Sequence, residues 1–434
     1  MTLREEVAGL LQALLRLDTV NPPGNETHAA ELLRDYFAGS GIACELPARE
    51  PGRASAVARL VGDGGPSLVL LSHTDTVVAD PAEWTRDPWS GDLVAGEIWG
   101  RGALDMKGQV AASAVALASL HREGFRPAGD LVFVSASDEE VGVPAGQVGP
   151  GLQWLVGARP ELVRSEFALN EGGGERVVLG DRVFYLCSVA EKASAPFVLR
   201  VRGRSGHASV PGIADNALVK AARYVDALAR IVPEPRLIPE VQRFLELVLG
   251  EAPPPGAALE RARRLHPLAA ELVEPLLALT LSPTMIQASR QRNVIPALCE
   301  VTVDCRLLPG MGPEEVEPLV RAALGDGDWE LDWIERWGGT RSPLDTPLWR
   351  ALERFVSTLE PGARLAPVCS AGFTDSHWLR EAFGTTAYGF FPLRAMDAEL
   401  ASRLVHSADE RIALDDLELG VEAFRHVATT LAAA

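Results

Sequence analysis

Cysteine is scarce and poorly placed for a disulfide framework or a thiolate metal site. The five present (Cys44, Cys187, Cys299, Cys305 and Cys369) are odd in number and never in Cys-X-X-Cys spacing, so free, buried thiols are expected. Lysine is scarcer still, with Lys107, Lys192 and Lys220 the only three in 434 residues. That bias towards arginine, with abundant Ala, Leu, Gly and Pro, reads as the mark of a GC-rich genome. The formal net charge is −18 and no concentrated basic patch offsets it, so no nucleic-acid partner is expected. No apolar run approaches the roughly 18–20 residues of a membrane-spanning helix, so no membrane partner is expected either. The first twenty residues lack a basic head and a small-residue cleavage site. Instead Val7, Leu10, Leu11, Leu14 and Leu15 recur at helical spacing, which predicts a core-facing amphipathic helix and a cytoplasmic protein.

What is present is ordinary globular composition, 47% hydrophobic and 23% charged, in a chain longer than one core usually holds. Residues 1–193 alternate strand-like and helix-like segments: strands at 67–72, 130–136 and 166–169, and a small-residue helix at 106–122. This rhythm predicts an α/β fold with a mixed, mostly parallel sheet flanked by helices. Residues 194–340 differ. Strand patterns at 195–204, 285–290 and 300–307 and helical patterns at 216–231 and 313–324 give a βαββαβ order, an inserted α+β unit. Within it, residues 232–281 form an insert with Pro253-Pro254-Pro255-Gly256 between two expected helices. Residues 341–434 return to the first style and complete the first domain.

The candidate chemistry lies just past the strands. Ser72-His73-Thr74-Asp75 offers an imidazole with a carboxylate to orient it. Asp105 follows on a glycine-flanked turn, then Glu139-Glu140, Glu171 and His406. Zinc takes nitrogen and carboxylate ligands, and its histidine usually donates its other ring nitrogen to an acid. In parallel sheets ligands gather at the carboxyl ends of strands. A lone histidine usually packs or is solvated, and His28, His121, His266, His377 and His426 are read that way. The tryptophans at 84, 89 and 99 read as core.

The motifs TVNPPG (19–24), SHTDT (72–76), IWGRGALDMKG (98–108), SASDEEVG (135–142), NEGGG (170–174), GRSGHASVP (203–211), NVIP (293–296), VDCR (303–306), GFTDS (372–376) and HSADER (406–411) run nearly end to end. In that order they resemble the dizinc amidohydrolase family of aminoacylase-1, carboxypeptidase G, carboxypeptidase S and succinyl-diaminopimelate desuccinylase. The resemblance implies a zinc-exopeptidase-like fold, an inserted lid and dimerisation domain, and two Zn2+ per subunit, with Co2+ or Mn2+ as substitutes. His73 and Glu171 would hold one ion, Glu140 and His406 the other, and Asp105 and a water would bridge them. Two ions that close need a shared anion, and they lower the pKa of their water. Asp75 would fix the His73 tautomer and Glu139 would be the general base. The Asp105–Met106 bond is expected to be cis.

By the same resemblance, His207 would enter the partner's active site to meet the oxyanion. Asn293 and Arg306 would bind a substrate carboxylate, and Thr374 lies on a substrate-side loop. Some relatives follow that loop with arginine, where this chain has His377. Glu139 and Glu140 are expected to diverge as successive side chains at a strand end. The expected activity is hydrolysis of an amide or peptide bond beside a carboxylate-bearing residue, in an N-acyl amino acid or small peptide, by a homodimer. The enlarged insert hints at apolar acyl or side-chain groups. The rivals are desuccinylase- or deacetylase-like hydrolysis of a more polar substrate, and an inactive metal-binding dimeric scaffold, which loss of Glu139 or of a ligand would have signalled.

Overall fold

The computed structural model describes residues 2–432. Its larger sheet has ten strands, of which the strands 56–60, 131–136, 68–73, 167–170, 386–389 and 182–191 stand side by side in that order. Four of these, from 131–136 to 386–389, are mutually parallel. They are buried on both faces, which is why they read as continuous apolar runs. The helices Leu3–Leu15, Lys107–Arg122, Pro347–Leu359 and Leu414–Ala432 cover one face. The helices Leu152–Ala158 and Ser376–Phe383 cover the other. Thr2 caps the first helix in a capping box with Glu5, and all five predicted apolar positions of that helix are buried. Lys107–Arg122 sits deepest, and its alanines allow the helices around it to approach closely.

A second, five-stranded antiparallel sheet is built from residues 193–333. Its central strand, Leu298–Leu307, buries Cys299, Val301, Val303, Cys305 and Leu307 in strict alternation. The helix 216–231 is realised as Ala217–Ala229, capped by the Asn216 side chain. Two expectations need adjustment. The strand expected at 285–290 is Thr280–Gln287, because Thr280 and Leu281 of the supposed insert, and Ser282 and Pro283 after them, already pair with Leu298–Leu307. The insert contains three α-helices, Pro239–Leu249, Pro255–Leu265 and Pro267–Val273, each with proline in its first turn. The proline–glycine run lies between the first two of these helices, as expected, with Pro255 and Gly256 opening the second.

All five cysteines are free, four of them buried. No helix among the described residues is long and apolar enough to cross a membrane.

Candidate metal centre

Register explains why residues far apart in sequence meet. His73 pairs with Ala136 at the ends of adjacent parallel strands, and Asn170 ends the next strand over. The chain beyond each of those ends therefore emerges at one edge of the sheet, carrying His73, Glu139, Glu140 and Glu171. Asp105 arrives from the turn before Lys107–Arg122, and His406 from the turn after the helix Ala398–Leu404. The Asp105–Met106 peptide is cis, and His406 has a left-handed backbone at φ 59°.

Asp105 spans the cluster. Its Oδ1 lies 3.2 Å from His73 Nε2 and its Oδ2 lies 3.1 Å from His406 Nε2. Glu140 Oε2 is 3.1 Å from the same His406 nitrogen. Glu171 Oε1 and Glu139 Oε2 stand 3.8 and 3.9 Å from His73 Nε2. On its far side, His73 Nδ1 faces the Asp75 carbonyl at 3.1 Å and its carboxylate at 3.4 Å. That pairing favours the tautomer with its proton on Nδ1, which leaves the Nε2 lone pair aimed at Asp105.

Asp75 does more than orient a histidine. Its two oxygens accept the backbone N–H groups of Glu139 and Glu140 at 3.1 and 3.0 Å, and Asn21 donates to it at 2.9 Å. This changes the physical account of the glutamate pair. The strand stops at Ala136, so strand alternation does not separate the two side chains. They diverge because Asp75 grips a loop whose preceding residue, Asp138, is left-handed at φ 61°. Arg53 holds that residue in place: it donates to Asp138 at 2.9 Å and forms a two-pronged pair with buried Glu26 at 2.7 Å.

The site crowds five carboxylates around two imidazoles, and their proton affinities record it. Burial and then the Glu171 charge push Glu139 well above the usual carboxylate range. Burial and the Asp105 charge carry Glu171 up to about 7. Glu140 is raised, chiefly by burial. Asp105 goes the other way: burial opposes its charge but is outweighed by the adjacent His406 and His73 imidazoles. His406 rises to about 10 through Asp105 and Glu140.

The donor set fits a pair of divalent cations. Among the described residues, His73 Nε2, Asp105 Oδ1 and Glu140 Oε1 are buried polar atoms without a hydrogen-bond partner, a condition proteins rarely tolerate unless something binds there. Ligand atoms of His73, Asp105 and Glu140 lie within 4.8 Å of one another, as do those of His73, Glu139 and Glu171. Nitrogen with carboxylate oxygen suits zinc and its first-row neighbours. Distance alone does not distinguish Glu139 from Glu171; access does. Glu139, Glu140 and His406 line an open cleft of about 280 Å3, whereas Glu171 does not.

Arg306 lines the same cleft, with Trp337 and Phe373. Asp304 steadies its guanidinium at 3.2–3.3 Å. His207 and Asn293 are brought together elsewhere: His207 pairs with Val294 on a short exposed ribbon, and Ala208 N–H donates to the Asn293 carbonyl. The His207 ring meets Ser209 at 2.7 Å, and neither His207 nor Asn293 lines the cleft. Thr374 is buried with its hydroxyl turned away, donating to Glu191 at 2.7 Å. Its neighbours Phe373 and Asp375 line the cleft instead. His377 packs against Phe373 and Trp378, and burial lowers its pKa to about 4.

Sequence reasoning missed the supports. Glu410 is fully buried and accepts from the N–H groups of Gly102, Leu104 and Asp105 at 2.7–3.0 Å and from Arg101 at 2.6 Å. It stands inside a quoted motif, so a signal existed. Arg53 and Glu26 carried none, because only the fold brings them to Asp138.

The model of Peptidase family M20/M25/M40 matches residues 69–430. A succinyl-diaminopimelate desuccinylase of Methylobacterium sp. is 27% identical over 428 residues, 96% of this chain and 94% of that one. The Homo sapiens N-fatty-acyl-amino acid synthase/hydrolase PM20D1 is 28% identical over 381 residues, 82% of this chain and 73% of that one. Among solved structures, the M20 family metallo-carboxypeptidase Sso-CP2 from Sulfolobus solfataricus superposes with a TM-score of 0.77 at 16% identity, covering 99% of this chain and 100% of that one.

Proposed function

Because this chain belongs to peptidase family M20/M25/M40 and is a metal-dependent hydrolase, we propose that it cleaves the amide bond of an N-acyl amino acid or small peptide beside a free carboxylate. The observation that carries this reading is the presence of Arg306 and Glu139 in one cleft. An arginine fork meets a carboxylate bidentately and would hold the substrate's acid end while its amide lies against the ligand cluster.

Two cations held by His73, Glu171, Asp105, Glu140 and His406 would polarise the carbonyl and lower the pKa of the attacking water; zinc is the proposed metal. Glu139 takes a proton from that water and passes it to the leaving nitrogen. Asp75 fixes His73 and, through two backbone N–H groups, the loop bearing Glu139. The ring of His207, exposed and not among the residues lining its own cleft, would serve the oxyanion of a partner subunit in a homodimer, with residues 194–340 as the lid and dimerisation unit.

The names of the two relatives both join an acyl group to an amino acid, on nitrogen in the human enzyme's name, in line with this reading. A desuccinylase must also recognise a second anionic end. The position where some relatives carry arginine holds His377 here, neutral and enclosed by aromatic rings, which weighs against a succinyl group at that position. A hydrolysis screen over N-acetyl amino acids, dipeptides and N-succinyl-diaminopimelate, with zinc, cobalt and manganese supplied in turn, tests the proposal. Turnover of the first two classes, abolished by chelation, is expected. No chelation-sensitive turnover in any of the three classes would overturn it, and turnover confined to the N-succinyl substrate would select the desuccinylase reading.

A further inference from the structure

The chain leaves the ten-stranded sheet at Glu191, enters the second sheet at Ala193 and returns at Thr340, which pairs with Glu191. One buried carboxylate therefore stands where both crossings meet. Glu191 is 1% exposed, and its Oε1 accepts from Thr340 Oγ1 at 2.6 Å and from the Arg380 guanidinium at 3.0 Å. Arg380 is bound in turn to the returning chain, donating to Ser342 Oγ at 3.0 Å. The other oxygen, Oε2, accepts from the Thr374 hydroxyl at 2.7 Å and from the Thr374 N–H at 3.1 Å. Both oxygens thus hold segments that lead to the metal cleft. Gly372, Phe373 and Asp375, on either side of Thr374, line it from the loop after strand 364–370. Ser194, three residues beyond Glu191, lines it from the second sheet, where it pairs with Arg306 and accepts the Trp337 N–H at 3.3 Å. Arg306 and Trp337 line the cleft as well.

We propose that Glu191 is a positioning residue of the hydrolytic site, fixing the spacing between Arg306, carried by the second sheet, and the Phe373–Asp375 segment of the same cleft. The inference rests on the function proposed above, since it takes this cleft to hold the substrate. Glu191 accepts four hydrogen bonds, from the returning chain, the helix Ser376–Phe383 and the cleft loop. Bonds to an ionised acceptor are the stronger kind, and moving any one of these segments leaves a buried charge short of a donor. Thr374 accordingly acts without touching substrate: its hydroxyl is engaged between Glu191 and the Ser376 N–H, which donates to it at 3.2 Å. None of the residues placed in this way is a proposed metal ligand or the proposed base. Loss of the link should therefore weaken the hold on the substrate in the ground and transition states alike, which raises KM and spares kcat.

Thr374→Val keeps the side chain's shape and removes its hydroxyl. With whichever of the N-acetyl amino acids, dipeptides or N-succinyl-diaminopimelate is turned over, KM should rise about tenfold and kcat should stay within about threefold. Thr374→Ser, which keeps the hydroxyl, should restore KM. In substrate-free protein, amide hydrogen exchange over residues 371–376 should quicken in Thr374→Val. Ser342→Ala is the control: it removes a partner of Arg380 but leaves Glu191 bonded to Thr374, so it should lower the unfolding midpoint and leave KM within about twofold. Glu191→Gln should repeat the KM rise, and adding Thr374→Val to it should raise KM by less than about threefold more, because both cut one link. An unchanged KM in Thr374→Val, no recovery in Thr374→Ser, or an equal rise in Ser342→Ala would each overturn the assignment. Additive rises in the double variant would overturn it too, because Thr374 would then meet the substrate itself. A rise in KM without faster exchange has the same meaning, and decides the matter should Glu191→Gln fail to fold. If the wild type turns over none of these substrates, the function proposed above fails; faster exchange in Thr374→Val would still support the hold on the cleft loop, and unchanged exchange would overturn it.

Discussion

Glu410→Gln should damage the metal centre without touching a ligand. The carboxylate is fully buried and organises the Asp105 turn: one oxygen accepts from Leu104 and Asp105 N–H, the other from Gly102 N–H and the Arg101 guanidinium. Gln has almost the same shape, so packing is preserved and only the acceptors change. Whichever way its amide turns, an NH2 group faces donors on one side, and at least two charge-assisted hydrogen bonds are lost. Arg101, itself only 3% exposed, is left with an uncompensated buried charge. Breaking a buried pair from one side costs about 3–5 kcal/mol, which in a chain of this length corresponds to a midpoint about 3–6 °C lower in thermal unfolding. Because Asp105 hangs from the same turn, metal affinity should also fall by roughly 10–100-fold, as for the loss of a group that supports a ligand. Calorimetric melting of the metal-free protein isolates the first effect, and metal titration at a temperature where the variant is folded isolates the second. An unchanged melt together with unchanged metal affinity would refute the anchoring role.

Glu139→Gln should keep metal and lose about 10²–10⁴-fold in turnover, since only proton transfer is removed, whereas Glu140→Gln should lose metal. Elemental analysis beside steady-state kinetics separates them, and near-normal turnover in Glu139→Gln would refute the base assignment. Arg306→Ala should weaken substrates with a free carboxylate by about 2–3 kcal/mol and their amidated analogues far less; equal losses would make Arg306 structural. Mixing inactive His207→Ala and His406→Ala subunits should restore about a quarter of wild-type activity if random pairing makes half the dimers hybrids with one whole site each. Hybrids confirmed by mass spectrometry yet inactive would exclude a shared site. His377, held at about 4 by burial and then by the Arg380 charge, stays neutral in the fold while its unfolded counterpart takes up a proton below about pH 6.5. Its contribution to stability is therefore complete above that pH and is lost as pH falls towards 4, by roughly 3 kcal/mol in all. Denaturant unfolding at pH 7, 5.5 and 4.5 should show His377→Phe losing less stability than wild type over that window, and parallel profiles would contradict the argument.

Periodicity alone determined the elements that bury a continuous face. The apolar runs before His73, Glu139 and Glu171 are strands because residues covered on both sides have no polar positions to alternate. Leu3–Leu15 is a helix because its apolar positions recur on one stripe. The proposed ligand set was legible because each member follows such a run or stands in a turn of restricted composition, and those local patterns do not depend on the rest of the chain. Tertiary structure decided what depends on approach between distant segments. That Glu139 and Glu140 are separated by the grip of Asp75 on their backbone, that Arg53 steadies Asp138, and that Thr374 turns its hydroxyl to Glu191 all follow from contacts across 64 to 183 positions of chain. A side chain's identity records which bonds it can make. Which partner it meets is set by strand order and loop closure, and in this chain those brought Arg306 to the metal cleft and left His207 outside it.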